Sequence, residues 1–407
     1  MSIRFNLDDI FADTRPRRTD LAKARIFLAI AGVGSGKRQT RRSLTEGLSL
    51  RQATVSAMVG ELIQSGLVRE TEKSAPSGKG RPETSLAVRA ERIMVPVIQV
   101  ISRDIRGVLL DLNGNEVGET SVTLDEDAAE AGDINEAFRD IAGYLIGEKP
   151  EGADIPGLGL SLPGIVDERS LRWISAARWP RLQGVDLHDL EAQTGLTVRL
   201  ERNRQAELRT RLLRHPEDRD GGILYVSWGY GISSAYAQNG TVLSSAMGGF
   251  GDLGHWLVEA ESRRKCLCGQ TGCLEAYAAL WALMPELKRA FPDATGDPRA
   301  LEILFRTQDL SQLPRIEEAT RLFALSLHNL FKAFFPDRIV LSGVFLANDW
   351  IYERVRRLFL SHLPAYAQGH VALELTDSDD HDAALGIAAP FFHEALRPLL
   401  LAQDARI

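Results

Sequence analysis

The chain has 407 residues, 44% of them apolar and 25% charged, with a formal net charge of −7. That length predicts two or three domains with ample core, and the composition excludes a disordered, fibrous or collagen-like chain. No run of 18 apolar residues occurs, and the opening MSIRFNLDDIFADTRPRRTD lacks an apolar signal stretch, so the expectation is no membrane partner and a reducing, cytoplasmic location.

The charge is unevenly distributed: residues 1–90 carry +7 and the remainder −14. A small basic segment joined to a large acidic one points to nucleic acid for the first and another partner for the second. Chance surface charge is the alternative.

In chain order, DLAKARIFLAIA (20–31) predicts a helix with Leu21, Ala24, Ile26, Phe27 and Ile30 as its apolar stripe. GVGSGKRQ breaks it. This is not a phosphate loop, because three residues rather than four separate Gly32 from Gly36, and Arg38 follows Lys37 where Ser or Thr is needed. A short helix over Arg41–Glu46 should stop at Gly47. A second should start at Ser49, an N-cap with Gln52 three positions on, as in a capping box. Val55, Val59, Leu62 and Ile63 share its inner face. Arg51, Gln52, Thr54 and Ser56 fall off that face near the N-terminal end, where a recognition helix carries the polar groups aimed at base edges. Gln52 cannot serve fully as both cap and base contact. GLVRETEKSAPSGKGRPETSLAV then predicts a two-stranded wing, with Lys79 and Arg81 among glycines at its tip. An arginine so placed can enter a narrow minor groove. The alternative is a helical hairpin that docks another protein domain.

From about residue 93 the pattern changes. MVPVIQVI and GVLLDLNG are apolar runs around a turn, GLGLSLPGIVD is a strand ending in a Pro-Gly loop, ILYVSWGYGISSAYAQNGTVL reads as paired strands, and RIVLSGVFL as a buried strand. Helices are expected over 187–193, 274–290, 316–334 and 348–362, among others. Alternation of this kind predicts α/β architecture, two lobes with a cleft between them. Within it, CLCGQTGCLE holds all three cysteines, Cys266, Cys268 and Cys273. Three is odd for disulfides and one short of a closed tetrahedral metal site.

GLSLRQATVSAMVGELIQSGLV with GKGRP, then GLSLPGIVD, GGFGDLGHW and CLCGQTGCLE, together resemble the ROK (repressor, ORF, kinase) family of transcriptional regulators, the xylose repressor and N-acetylglucosamine repressor group, over nearly the whole chain. The resemblance implies an N-terminal winged helix-turn-helix (1–90) and an α/β two-lobed sugar-kinase-like body of the actin/hexokinase type. Lobe 1 would comprise 91–205 with 385–407, and lobe 2 206–384. It implies His255 as the fourth ligand of one structural Zn²⁺, with Cys266, Cys268 and Cys273, and Gly269 and Gly272 allowing the tight turn. Three buried free thiols beside an unrelated histidine are the alternative. It further implies a sugar or sugar-derivative effector held by Asn203, Asp252, His255, Glu275 and the backbone at Pro163-Gly164, and a homodimer or homotetramer on double-stranded operator DNA.

Against enzyme activity, the family's Asn-Asp pair reads Arg202-Asn203, and an amide cannot act as general base. The first phosphate loop reads QVISR (99–103), and the second, GYGISSAY, has Ser233 where a glycine is usual. Asp252 stands where the family carries the longer Glu. Trp179 fits either a pyranose face or the core. Its neighbours Arg178 and Arg181 would suit an acidic sugar or phosphosugar, or be ordinary solvated surface. The expected function is therefore sugar-controlled transcriptional regulation, usually repression. A ligand-independent DNA-binding oligomer and an ATP-dependent sugar kinase are the alternatives.

Overall fold

The computed structural model describes residues 5–12, 14–32, 39–73, 83–182, 184–245, 250–377 and 379–401. The basic end folds as α1 (Leu7–Ile10), α2 (Arg18–Ala31), a short β1 (Gln39–Thr40), α3 (Arg41–Leu48), α4 (Gln52–Gln64) and the antiparallel hairpin β2 (Val68–Lys73) and β3 (Thr84–Val88), with β1 on the other edge of β3. Ala24, Ile26, Phe27 and Ile30 of α2 are buried, as the stripe predicts. Buried Lys23 is paired at 2.9 Å with Glu61 of α4.

One expectation is corrected at the turn between helices. Ser49 does not cap α4. Its φ of +53° is left-handed, and it closes α3, its N–H donating to the Thr45 carbonyl. Gly47 is interior to α3, and Arg51 takes the N-cap position of α4. The backbone turn is thus made at Ser49 rather than at the glycine, which leaves Gln52 exposed and free of a cap. Val55, Val59 and Leu62 are buried and Ile63 half-buried. The wing tip with Lys79 and Arg81 lies outside the described residues.

The acidic end contains two five-stranded sheets of one topology. The first comprises β4 (Met94–Ile101), β5 (Asp104–Asp111) and β6 (Glu116–Thr123), then, past α5 (Ala131–Gly147), β7 (Leu158–Leu162). A small antiparallel sheet of β8 (Ile165–Asp167), β9 (Arg172–Ser175) and β10 (Val185–Asp186) and helix α6 (His188–Thr194) precede its last strand, β11 (Val198–Arg202). Its order is β11-β7-β4-β5-β6, with β4, β7 and β11 parallel and β5 and β6 antiparallel.

After α7 (Asn203–Arg214), the second sheet repeats this plan with β12 (Gly222–Trp228), β13 (Ile232–Gln238) and β14 (Thr241–Val242). Helices α8 (Glu275–Ala278), α9 (Leu280–Ala290), α10 (Pro298–Thr307) and α11 (Pro314–Phe334) lead to β15 (Arg338–Ser342), then α12 (Asp349–Ser361), β16 (Ala372–Leu375) and α13 (Asp380–Leu400). Its order is β14-β13-β12-β15-β16. The single helix expected over 274–290 is two, because Ala279 is extended (φ −71°, ψ 151°) and the next amide, Leu280 N–H, donates to Gly229 O at 3.0 Å. Among the described residues no helix is long and apolar enough to cross a membrane.

Helices α7 and α13 pack against each other between the sheets, α7 against β12 and β13 and α13 against β4 and β7. Two prolines lie inside α13. Pro390 has no N–H to offer the Gly386 carbonyl one turn earlier, and Arg209 Nη1 of α7 donates to that carbonyl instead at 3.2 Å. The basic end docks on the same helix. The Phe5 ring lies 6.3 Å from that of Phe392 and 5.7 Å from that of His393, and the arm's apolar core is continuous with β4, β5 and α13.

His393 is 7% exposed and its Nε2 has no hydrogen-bond partner. Burial therefore lowers its pKa from 6.5 to about 4. In the unfolded chain it takes up a proton near its ordinary pKa, so protonation favours unfolding between these values. Stability should be intact above pH 6.5 and fall as pH drops toward 4, by on the order of 3 kcal/mol from this group. Denaturant melts across that range should show the loss, and His393→Asn should remove that part of the slope.

Candidate metal centre and ligand site

The cysteine segment is a folded-back loop entering α8. Leu257 pairs with Cys273 and Lys265 with Thr271 in antiparallel bridges, and Cys266 N–H donates to Gln270 O at 2.8 Å. Gly272, at φ +77°, is required here, because a Cβ would lie 2.1 Å from the Glu259 carbonyl oxygen. Gly269, at φ +90°, makes the other turn. The result brings one ligand atom each from His255, Cys266, Cys268 and Cys273 within 4.8 Å of one another.

Two of these separations are 3.5 Å (Cys266 Sγ to His255 Nδ1) and 3.7 Å (Cys268 Sγ to Cys273 Sγ). A tetrahedron with metal–sulfur bonds of about 2.3 Å and a metal–nitrogen bond of about 2.0 Å has edges of about 3.8 and 3.5 Å, so the donor set fits a tetrahedral ion. Cys266 and Cys273 are buried. Burial pushes the Cys266 thiol well up and the Cys273 thiol up to about 11, so neither carries a thiolate easily without a neighbouring cation.

Glu275 follows Cys273 by two residues and opens α8. It is 5% exposed; Oε1 accepts Ile232 N–H at 2.7 Å and Oε2 accepts the Trp281 indole N–H at 3.4 Å. Burial raises its carboxyl above the usual range, while His255 and the Ile232 N–H act in the opposite direction. Gly231 and Gly254 make this close approach possible, since a Cβ on either would sit 2.7 Å from Oε1. These supporting groups carry no signal in the sequence beyond the two glycines.

Opposite, at the end of β11, Arg202 Nη1 reaches the Gly251 carbonyl at 3.4 Å. Burial lowers its guanidinium pKa, and the charges of Asp252 and Glu275 hold it up. Asp252 is exposed. Asn203 heads α7, accepts the Ser161 hydroxyl at 2.8 Å and donates to Val100 O at 3.4 Å. The ends of β4, β7 and β11 thus face the Gly251–His255 turn and Glu275 across the sheets, the place where open α/β folds bind ligands. Gly164 (φ +79°) lies just past β7. A side chain there would meet the Ser175 carbonyl oxygen at 2.1 Å, and Pro163 O already accepts the Trp173 indole at 2.8 Å.

Trp179 is a core residue, not a sugar platform: it is 1% exposed and donates to Ser102 O at 3.2 Å, its ring edge-on to Trp173. Arg178 is engaged too, 3.4 Å from Glu126 and stacked 3.8 Å over the Tyr230 ring; Arg181 is exposed. On the arm, Arg51, Gln52 and Ser56 are exposed and Thr54 half-buried.

Two sheets of one topology, with four potential metal ligands in the loop that enters α8 of the second, define a two-lobed α/β fold of the sugar-kinase type. The ROK family model matches residues 98–394, and the chain belongs to that family. It is 24% identical over 373 residues to a putative xylose repressor of Caldicellulosiruptor sp. (strain Rt8B.4), covering 88% of this chain and 92% of that one. It is 22% identical over 366 residues to the DNA-binding transcriptional repressor Mlc of Escherichia coli, covering 86% and 88%. Among solved structures, a ROK family transcriptional regulator, homologue of Escherichia coli Mlc, superposes with a TM-score of 0.69 at 19% identity, covering 94% of this chain and 99% of that one. A ROK hexokinase of Thermus thermophilus superposes with a TM-score of 0.57 at 26% identity, covering 74% and 99%.

Proposed function

We propose that the chain is a DNA-binding transcriptional repressor whose body senses a sugar or sugar derivative. One observation carries this reading. Likeness to repressors runs through arm and body together, 94% of the chain, whereas the hexokinase matches 74%. In this reading residues 1–90 are a winged helix-turn-helix, 91–205 with 385–407 the first lobe and 206–384 the second. The exposed start of α4 (Arg51, Gln52, Thr54, Ser56) reads a major groove, and Lys79 and Arg81 of the wing tip reach the adjacent minor groove. A homodimer or homotetramer would present paired arms to paired half-sites, in the cytoplasm.

His255, Cys266, Cys268 and Cys273 would hold Zn²⁺, which suits this donor set and supplies charge compensation and a fixed loop geometry. With Nδ1 turned to the thiols, His255 keeps Nε2 for an effector hydroxyl. Glu275, held by Ile232 and Trp281, accepts from a second hydroxyl, and Arg202 with Asp252 faces them. Any preference for an acidic sugar rests on Arg202 and the exposed Arg181, because Arg178 is engaged elsewhere. Chemistry stops at binding in this reading: the Asn203 amide cannot take a proton, and Ser233 stands in the second loop where a kinase carries a glycine.

The test uses duplexes selected from random sequence by the full chain. Arg51→Ala should weaken the selected duplex by about 1–3 kcal/mol and leave unselected DNA nearly unchanged, while Arg81→Ala should weaken all duplexes and lower the salt slope by about one. A sugar should shift wild-type affinity by about 1–3 kcal/mol of coupling without ATP consumption. Identical affinity of wild type and Arg51→Ala for the selected duplex would remove α4 as the reader, and calorimetry without sugar heat would remove the sensor.

A further inference from the structure

Where the arm docks on the body there is a cavity of about 240 Å³, away from the cleft. Its wall combines Asp9 of α1, Arg209 of α7, Arg219, and His393, Glu394 and Arg397 of α13. The pairing of these charges is unequal. Asp9 is held by both Nη atoms of Arg219, at 2.7 and 2.9 Å, and Glu394 by Arg199 at 2.7 Å. Arg209 pairs with Glu201 and donates to Gly386 O. Arg397 donates through Nε to Ile10 O at 2.7 Å, and its two terminal nitrogens have no carboxylate partner among the described residues. His393 is 7% exposed and its Nε2 is without a partner.

Both wall carboxylates are therefore already neutralised, while one guanidinium fork and one imidazole remain unmatched. A guanidinium fork fits the paired oxygens of a phosphate or carboxylate. The cavity is smaller than the roughly 300 Å³ at which drug-sized pockets begin, so it suits an oxyanion bearing few further atoms. We propose that this cavity binds a small oxyanion, phosphate or carboxylate, through Arg397 and His393. Bound there, the anion is held by α13 in a wall that α1 and α7 complete, and Arg397 also holds the Ile10 carbonyl at the end of α1. Asn203 of the cleft heads the same α7, so occupancy would stiffen the joint through which cleft and arm communicate. The proposal depends on neither the effector nor the DNA.

Titration calorimetry of the full-length, metal-loaded chain with inorganic phosphate, and separately with acetate, at constant ionic strength in chloride, tests it. One of the two should bind saturably, one per chain. Arg397→Gln should weaken that binding at least tenfold, and Arg397→Lys, a point charge without the fork, should retain part of it. Hydrogen exchange of the wild type, which needs no variant, should slow on anion addition at residues 7–12 and 390–397. Absence of saturable binding by both anions, wild-type affinity in Arg397→Gln, or slowing confined to the 251–255 turn would each overturn the proposal.

Discussion

Cys273→Ser should strip the chain of metal and lower its stability by on the order of 3–5 kcal/mol, the scale on which a lost structural metal site operates. The purified wild type should carry one zinc per chain by elemental analysis. The reasoning starts from burial. Cys266 and Cys273 lie in the same apolar cluster as Trp228, Leu274 and Phe323, the core of the second sheet. Removing one ligand leaves the remaining donors in that core without a common cation, and the thiols, already pushed up by burial, become neutral and unpaired. The loop then has only its backbone bridges, Leu257 with Cys273 and Lys265 with Thr271, to hold it. Zinc-finger peptides owe about 10–16 kcal/mol to their metal; the expected loss here is smaller because Leu274 and Tyr277 remain packed. Chelation of the wild type should reproduce the shift, and added zinc should reverse it in the wild type and not in Cys273→Ser. A wild-type chain free of metal with an unchanged melting temperature would sink the centre. Glu275 should register the loss as well, since it stands two residues from Cys273, so effector heat should vanish with the metal.

The gathering of possible ligands was legible in part: Cys266, Cys268 and Cys273 lie within eight positions, while His255 joined them only through the family resemblance. The strands were readable because both sheets are covered on two faces, so β4, β7, β12 and β15 are nearly continuous apolar runs. One expectation failed locally and another on a partner far away in sequence. Ser49 carries the residue type of an N-cap, yet it closes α3 in a left-handed turn, its N–H on the Thr45 carbonyl. The break at Ala279 is decided by Gly229, and of the two roles left open for Trp179 the core is chosen by Ser102 and Trp173. Helix α13 runs through two prolines, and Arg209 of α7 takes up the carbonyl that one of them leaves without its helical donor. The docking of the arm by Phe5 on Phe392 has no local signature at all.

Gly386→Ala should destabilise the chain by about 3 kcal/mol or more, although alanine is the better helix former by about 1 kcal/mol. Gly386 lies where α13 crosses α7. A Cβ built on it would stand 1.8 Å from the Ala206 carbonyl oxygen and 2.4 Å from its carbonyl carbon. Both are backbone atoms of a helix, so no side-chain rotation relieves the overlap, and the helices must separate by about an ångström or more. That separation would pull Arg209 from the Gly386 carbonyl and open the seam that joins the two sheets. It would also move the start of α7, where Asn203 meets Ser161 and Val100. Displacements of about 1 Å are enough to degrade a positioned site, so effector affinity should fall with stability. Gly143, exposed on α5 with nothing within 4 Å of a built Cβ, is the matched control: Gly143→Ala should stabilise by about 0.5–1 kcal/mol. Calorimetric melts of the two variants should therefore move in opposite directions from the wild type. A Gly386→Ala chain as stable as Gly143→Ala, with effector binding intact, would mean that α7 and α13 do not form the rigid joint between the lobes.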